Sequence, residues 1–411
     1  MILIMKIIQI NNTDLPGARF NGYNLQKNFN SRGINTKQLV YEKLSNDENV
    51  ITFSDSVNTS DIYREFENKY SIKSIVFPYA HKIMNMREFL DADIVHYHLI
   101  HNYILSILDF PKLVSLKKSV WTIHDPWVFT GHCIYPMNCK KYLSGCIDCE
   151  HLDRNFSMLR DNAADMWELK KKIFNSFDID IVVASKWMKN LINESPITQS
   201  FKRIHIIPFG INLDKYKVDD NRKAKIRKKL GIPQDEIVLF FRADRSAYKG
   251  LDLIKEMLDR LNVNKRVALL TVGEAGLLNR YRLKYKVIDF GWLNNEDEIA
   301  DLYACSDIFL MPSTAEAFGV MAIEAMASSI PVIVMEGTAL PDVVNAPQCG
   351  IVFSKNNVGD FVSKVEWLIN NAEERLNRGK LCRVLAEERY DENQYFDAML
   401  DLYKDIIRGS K

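Results

Sequence analysis

A chain of 411 residues, 47% hydrophobic and 26% charged, suits two ordinary globular domains, each able to bury its own core. A net charge of +1 excludes nucleic-acid binding that relies on bulk charge. No apolar run approaches the length of a membrane span, and the apolar start lacks the basic flank and small-residue cleavage site of a signal peptide. A cytoplasmic chain with its seven cysteines reduced is therefore expected.

The first strand is predicted at residues 5–10, followed by a loop, residues 11–19, that contains Pro16-Gly17-Ala18. A helix follows at 20–31, then strands at 36–40, 74–76, 94–98, 119–123 and 179–184 with helical stretches between them. No G-x-G-x-x-G follows the first strand, which argues against a dinucleotide oxidoreductase. A boundary falls near 204–214, and the charged stretch 215–229 begins the connection to a second domain. The alternation restarts with strands at 237–242, 267–272, 287–290, 307–311 and 332–335. Helices are predicted at 360–378 and 383–388. The segment 393–408 repeats Tyr395, Phe396, Met399, Leu402, Tyr403 and Ile406 near helical spacing. Strands alternating with helices imply parallel sheets covered on both faces. The Asp-x-Asp strings at Asp91–Asp93 and Asp178–Asp180 precede or open strands and read as boundary residues rather than metal ligands.

The stretch from Asp307 to Met335 carries the most chemistry. An apolar strand runs into a loop, the loop opens a helix, and a second apolar strand follows, so ligand chemistry is expected at the first strand's carboxyl end. Glu316 in the loop and Glu324 in the helix have seven residues between them. Phe318, Gly319 and Val320 lie at the helix start, where backbone N–H groups and the helix dipole favour an anion. Two carboxylates and a phosphate cradle fit a nucleotide-sugar.

The spacing resembles the E-x7-E of retaining glycosyltransferases, and within them the large family 4 of bacterial polysaccharide and glycolipid enzymes. Further segments resemble the family in the same order: Thr122-Ile-His124-Asp125, Ser185-Lys-Trp187, Ile207-Pro208-Phe-Gly210-Ile-Asn-Leu-Asp214, Phe241-Arg242 through Lys249-Gly250, and Gly291-Trp292. The resemblance implies the GT-B architecture, α/β with two Rossmann-like domains facing across a cleft. An acceptor-side domain would span 1–209, a donor domain 210–392, and a helix at 393–411 would cross back to the first domain. Gly17 stands where many members have a Gly-Gly pair, and Asn212 stands where the common pattern has aspartate and looks structural.

By that resemblance Arg242 and Lys249 clamp the donor diphosphate and stabilise the charge of the leaving phosphate without a metal. Glu316 binds the donor sugar's hydroxyls, Glu324 accepts both ribose hydroxyls, Gly291 and Trp292 place the base, and His124 reaches the donor sugar from the first domain. Glu316, His124, Arg242 and Lys249 form the expected catalytic set. Gly17, Phe318, Gly319 and Val320 add backbone contacts to the donor. His98 and His101, also at a strand end, are candidates for the acceptor side. The implied reaction is retaining, metal-independent transfer from a nucleoside-diphosphate sugar, UDP by family frequency, to a saccharide or lipid-linked oligosaccharide. The other readings are a nucleotide-sugar epimerase or sugar phosphorylase on the same scaffold, or a non-catalytic zinc-containing binding protein.

Cys133, Cys139, Cys146 and Cys149 fall within 17 residues, spaced C-x5-C-x6-C-x2-C. The pattern suggests a structural zinc site, with free thiols or a redox pair as the alternatives. The segment from His124 to Cys133 resembles a subgroup of the family tied to exopolysaccharide and capsule assembly. Lys112, Lys117 and Lys118 flanking Leu113, Val114 and Leu116, with Lys170, Lys171 and Lys172, suggest peripheral membrane contact of the first domain.

Overall fold

The computed structural model describes residues 5–54, 60–101, 103–154 and 156–409. The apolar residues Met1–Ile4 lie outside them. The chain divides into two compact units: Met1–Phe209 with Tyr395–Lys411, and Gly210–Gln394. Each is a parallel sheet with helices around it, the α/β class of two Rossmann-like domains. Among the described residues no helix is long and apolar enough to cross a membrane.

The sheet of the first unit has seven strands: β1 (Lys6–Thr13), β2 (Asn35–Glu42), β3 (Val50–Thr52), β4 (Ile94–Tyr97), β5 (Ser119–Thr122), β6 (Asp180–Val183) and β7 (Ile204–Ile206). Their order is β3-β2-β1-β4-β5-β6-β7, all parallel. All four residues of each of β4, β5 and β6 are buried, as helices on both faces require. Trp121 on β5 packs against Phe110 and Phe174 at 5.0 and 5.6 Å between ring centroids. Helix Glu392–Arg408 buries Tyr395, Phe396, Met399, Leu402 and Tyr403, and Tyr403 meets Phe29 edge-on at 6.0 Å.

The sheet of the second unit has six strands: β8 (Ile237–Ala243), β9 (Val267–Gly273), β10 (Lys286–Asp289), β11 (Ile308–Met311), β12 (Val332–Met335) and β13 (Ile351–Phe353). Their order is β10-β9-β8-β11-β12-β13, again all parallel. Leu239, Phe241, Leu269, Leu310, Ile333 and Phe353 belong to one core cluster, which Phe361 and Leu368 of helix Val358–Asn370 help to close. Phe240 and Phe309 pack with Tyr303 at 4.8 and 5.5 Å. Burying a side chain of this size contributes roughly 1.5–3 kcal/mol.

The strand order reverses between β1 and β4 in one unit and between β8 and β11 in the other. Such reversals leave a crevice at the strands' carboxyl ends, where ligands bind in open α/β sheets.

Two predicted elements differ from the structure. Residues 74–76 form bends rather than a strand. The buried carboxylate of Glu67 accepts from Ile75 N–H at 2.7 Å and Val76 N–H at 3.3 Å, so these donors serve a side chain instead of a ladder. The predicted helix 360–378 is two helices, Val358–Asn370 and Ala372–Arg389, separated at Asn371. Arg375 caps the end of the first, donating from Nη1 to the carbonyls of Leu368 and Ile369 at 2.6 and 3.2 Å.

Candidate active site

In the second unit the expected donor residues gather around the reversal point. Arg242 is the penultimate residue of β8, and Lys249 ends the loop that follows. Lys249 Nζ lies 3.0 Å from Glu316 Oε2, which joins the loop after β8 to the loop after β11. Gly250 makes that approach possible: its φ is +71°, and a Cβ there would stand 2.1 Å from the Pro312 carbonyl oxygen. Thr314 holds the same two loops, donating from its backbone N–H to Tyr248 O and from Oγ1 to Ala247 O, each at 2.9 Å.

Arg242 pairs with the buried Asp244 at 2.6 Å, and its guanidinium stands 4.8 Å from the centre of the Trp292 ring. Its Nε is buried with no hydrogen-bond partner among the described residues. Trp292 is 64% exposed, so its outer face is open, while the arginine occupies the inner one. Gly291 has φ +63° and donates to Asp289 Oδ1 at 3.1 Å. Its carbonyl accepts from Gly273 N–H at 2.9 Å.

Helix Val320–Ala327 starts at Gly319, whose φ is +101°; a Cβ there would stand 2.4 Å from Leu340 Cδ2. Phe318 is buried against Tyr390, with ring centroids 5.8 Å apart. Val320 opens the helix, and Glu324 sits on its buried face. Tyr216 Oη donates to Glu324 Oε1 and Tyr303 Oη to Oε2, each at 2.9 Å. The resemblance assigns the ribose hydroxyls to this carboxylate. Asn212 donates from Nδ2 to Glu392 at 2.9 Å and accepts from Lys215 N–H at 3.1 Å.

In the first unit Gly17, with φ +75°, turns the loop after β1, and Asn21 ties that loop by donating to the carbonyls of Thr13, Asp14 and Pro16. His124 follows β5 and lies between aromatic rings: Phe209 stacks on it at 5.7 Å and 11°, and Phe20 is tilted at 5.6 Å. Burial pushes its pKa down to about 4, so the ring is neutral near pH 7. His98 Nδ1 is 3.2 Å from His124 Nε2, and His98 Nε2 is 2.8 Å from Gln9 Oε1. Both nitrogens of His98 are thus engaged inside the unit. His101 is buried too, 3.2 Å from Asp125 Oδ2 and stacked on Trp127 at 4.4 Å. Asp125 stays ionised below the usual carboxylate range: burial raises its pKa, but His101 and the Trp127 N–H outweigh that.

The four cysteines of the 133–149 loop are free thiols. Gly131 N–H donates to Cys146 Sγ at 3.3 Å, and His132 Nε2 lies 3.4 Å from Cys149 Sγ. Among the described residues no group of three or more His, Cys, Asp or Glu is arranged to hold a metal ion, so the expected zinc ligands are not assembled in this arrangement. The expected basic patch is also broken up. Lys170 is fully buried, donating to the carbonyls of Trp127 and Thr130 at 2.7 and 2.9 Å, and burial brings its pKa to about 7. Leu113 is in the core, and Lys117 spends its ammonium on the carbonyls of Leu90 and Ala92.

Asp244, Gly273, Gln9 and His96 were not singled out by their sequence, and Tyr403 only as part of an apolar helix face. A signal existed for Gly273, which ends an apolar strand and whose Cβ would stand 2.3 Å from Ala243 O. Gln9 has no local signal, and the spacing that marks Tyr403 as buried does not show its hydrogen-bond role.

Residues 42–215 match the family model "Glycosyltransferase Family 4", and residues 222–383 match "Glycosyl transferases group 1". A D-inositol 3-phosphate glycosyltransferase of Streptomyces bingchenggensis is 28% identical, over 50% of this chain and 48% of its own length. The sulfoquinovosyl transferase of Arabidopsis thaliana is 26% identical, over 55% and 44%. The chain thus spans about half the length of these curated relatives. Among solved structures, sucrose-phosphate synthase from Thermosynechococcus elongatus aligns with a TM-score of 0.69 at 16% identity, covering 99% of this chain and all of that one. Anabaena HepE, solved in complex with UDP and glucose, aligns at 0.70 and 14%, covering 98% and 100%; both are likenesses of fold. With one model on each unit and together reaching from residue 42 to 383, the chain belongs to the family 4, group 1 glycosyltransferases.

Proposed function

We propose that the protein is a retaining glycosyltransferase that moves a sugar from a nucleoside-diphosphate donor to a saccharide or lipid-linked acceptor, with UDP as the nucleotide. The observation that carries this reading is the Lys249–Glu316 contact at the reversal point of the second sheet. A cation for a diphosphate and a carboxylate for sugar hydroxyls stand side by side where α/β sheets bind ligands. Arg242 supports it, since its buried, unpartnered Nε–H is a feature that packing alone does not account for. The UDP assignment draws on HepE, whose structures hold UDP and glucose. A role in surface polysaccharide assembly, at the cytoplasmic face of the membrane, draws on the resemblance of residues 124–133.

In this reading the bond from the anomeric carbon to the diphosphate oxygen breaks, and positive charge develops on the sugar. Arg242 and Lys249 take up the negative charge of the leaving phosphate. Glu316, already oriented by Lys249, holds the sugar's hydroxyls. The acceptor oxygen bonds to the anomeric carbon on the face the phosphate leaves, and its proton goes to the leaving phosphate oxygen. Glu324 takes the ribose hydroxyls. Transfer proceeds by positioning and charge.

The test is release of nucleoside diphosphate from a panel of UDP- and GDP-sugars, with and without saccharide acceptors, with the product anomer read by NMR. Acceptor-dependent release with retained configuration is expected. Release without acceptor, or an inverted product, would reject the reading.

A further inference from the structure

Behind His124 runs a chain of hydrogen bonds that ends on the terminal helix. Tyr403 Oη lies 3.1 Å from Gln9 Nε2 and 2.5 Å from His96 Nδ1. Gln9 Oε1 lies 2.8 Å from His98 Nε2, and His98 Nδ1 lies 3.2 Å from His124 Nε2. His96 Nε2 closes the other arm on Thr122 Oγ1 at 2.6 Å. Gln9 is on β1 and His98 follows β4, so the chain crosses the reversal point of the first sheet. Gln9, His96, His98 and Tyr403 are all buried.

The order of donors fixes where each proton sits. The Gln9 amide donates to Tyr403, which leaves Oε1 to accept, so His98 carries its proton on Nε2. The Phe20 backbone also hydrogen-bonds this ring in the sense that favours its protonated form, as an accepting carbonyl does. Gly22 lies over the Nε2 edge of the ring: a Cβ there would stand 2.7 Å from His98 Nε2 and 2.9 Å from Gln9 Oε1. His98 Nδ1 is then bare and accepts from His124 Nε2–H. His124 Nδ1, in turn, is bare, and it has no hydrogen-bond partner among the described residues.

We propose that His98 is the positioning residue of His124, and that Tyr403 and Gln9 act through it to hold His124 in the Nε2–H tautomer, so that Nδ1 offers a lone pair to a hydroxyl of a saccharide bound at the first unit. The half concerning the sugar rests on the reaction proposed above; the half concerning the tautomer does not. A neutral ring held this way accepts one hydrogen bond and donates none at Nδ1. It therefore selects a sugar with a free hydroxyl at that point over one whose hydroxyl is replaced by a group that cannot donate. The second ring nitrogen of a histidine commonly decides the role of the first in this way.

The full-length protein labelled with 15N-histidine tests the tautomer directly, without substrate, with the His124 signals identified by their loss in His124→Gln. The expected spectrum near pH 7 shows His124 protonated at Nε2 and bare at Nδ1. A proton on Nδ1 would overturn the proposal whether or not the protein transfers sugar. His98→Asn keeps a polar group near the Nδ1 position, whereas His98→Leu removes it. For the transfer reaction, kcat/KM should fall about tenfold or more in His98→Leu, the worth of one hydrogen bond, and recover to within about threefold in His98→Asn. Tyr403→Phe, which deletes only the hydroxyl, should shift the His124 ring signals toward a mixture of tautomers. Unchanged ring signals in both Tyr403→Phe and His98→Leu would remove Tyr403 and His98 from the assignment.

Discussion

Lys249 is held by a carboxylate before any donor arrives, and that shapes what its removal does. Lys249→Ala deletes a phosphate ligand and at the same time frees Glu316 from its 3.0 Å tether. We expect kcat to fall by roughly 10²–10³, about 3–4 kcal/mol, as for loss of one oxyanion donor. Glu316→Gln should reduce kcat as well, while leaving donor affinity measured by calorimetry closer to that of the native protein. Near-normal turnover in both Lys249→Ala and Arg242→Ala would reject the clamp. Trp292→Ala removes the ring under Arg242 and a contact worth roughly 0.5–1 kcal/mol at an exposed site, so a two- to fivefold rise in KM is expected.

The buried histidines give the residue scale a pH dependence. Burial lowers the pKa of His124 to about 4 and those of His96 and His98 well below the usual value, against about 6.5 when unfolded. Between pH 6.5 and 4 the unfolded chain therefore binds more protons than the folded one. Stability is complete above about pH 6.5 and is lost as the pH falls toward 4, by roughly 1 kcal/mol at pH 5.5 from His124, with His96 and His98 acting in the same direction. Thermal midpoints measured from pH 7.5 to 5 should fall, and His124→Phe should flatten the slope. A midpoint independent of pH over that range would contradict neutral burial.

At the scale of elements, the loops after β8 and β11 work as one part. Gly250→Ala would place a methyl against the Pro312 carbonyl in a left-handed backbone, and it should destabilise the protein by more than ~1 kcal/mol. Activity should fall further than the lost stability explains, because Lys249 moves with its neighbour. Denaturant titration together with initial rates separates the two effects. The strands that carry this site were legible in the sequence, being buried on both faces and written as apolar runs. Three short strands were missed: Val50–Thr52, Ile204–Ile206 and Ile351–Phe353. Each lies at a sheet edge, pairs on one side only, and needs just three residues, so it leaves no run to read. Glu316, Glu324, Arg242 and Lys249 stand out because each lies at the end of a strand, in the loop after it or in the helix that loop opens. Gln9 and Tyr403 do not, since their contact joins positions 394 residues apart. Lys170 shows the opposite failure: a cationic side chain read as surface is buried because two carbonyls and the Trp127 ring, 3.6 Å away, receive it.

For the whole molecule, each unit has its own sheet and core, so two unfolding transitions are expected in calorimetry. Helix Glu392–Arg408 contributes five buried side chains, all of them in the first unit. A chain ending at Asp391 should lose the transition of the first unit, or lower it by more than 10 °C, while that of the second persists near its native midpoint. Equal loss of both would show that the units do not fold separately.

That arrangement sets an order on the ribosome. Residues up to Phe209 emerge early, yet Tyr403 and Met399, which cover part of their sheet, lie downstream of the whole second unit. The second unit can therefore finish folding while the first still waits, with the buried faces of Gln9, His96 and Phe29 uncovered. Since synthesis adds roughly 5–20 residues per second, the wait lasts ~10–40 s. Over that interval the nascent chain exposes an apolar surface that chaperones would bind, and the His124 hydrogen-bond chain is assembled only after Tyr403 has emerged.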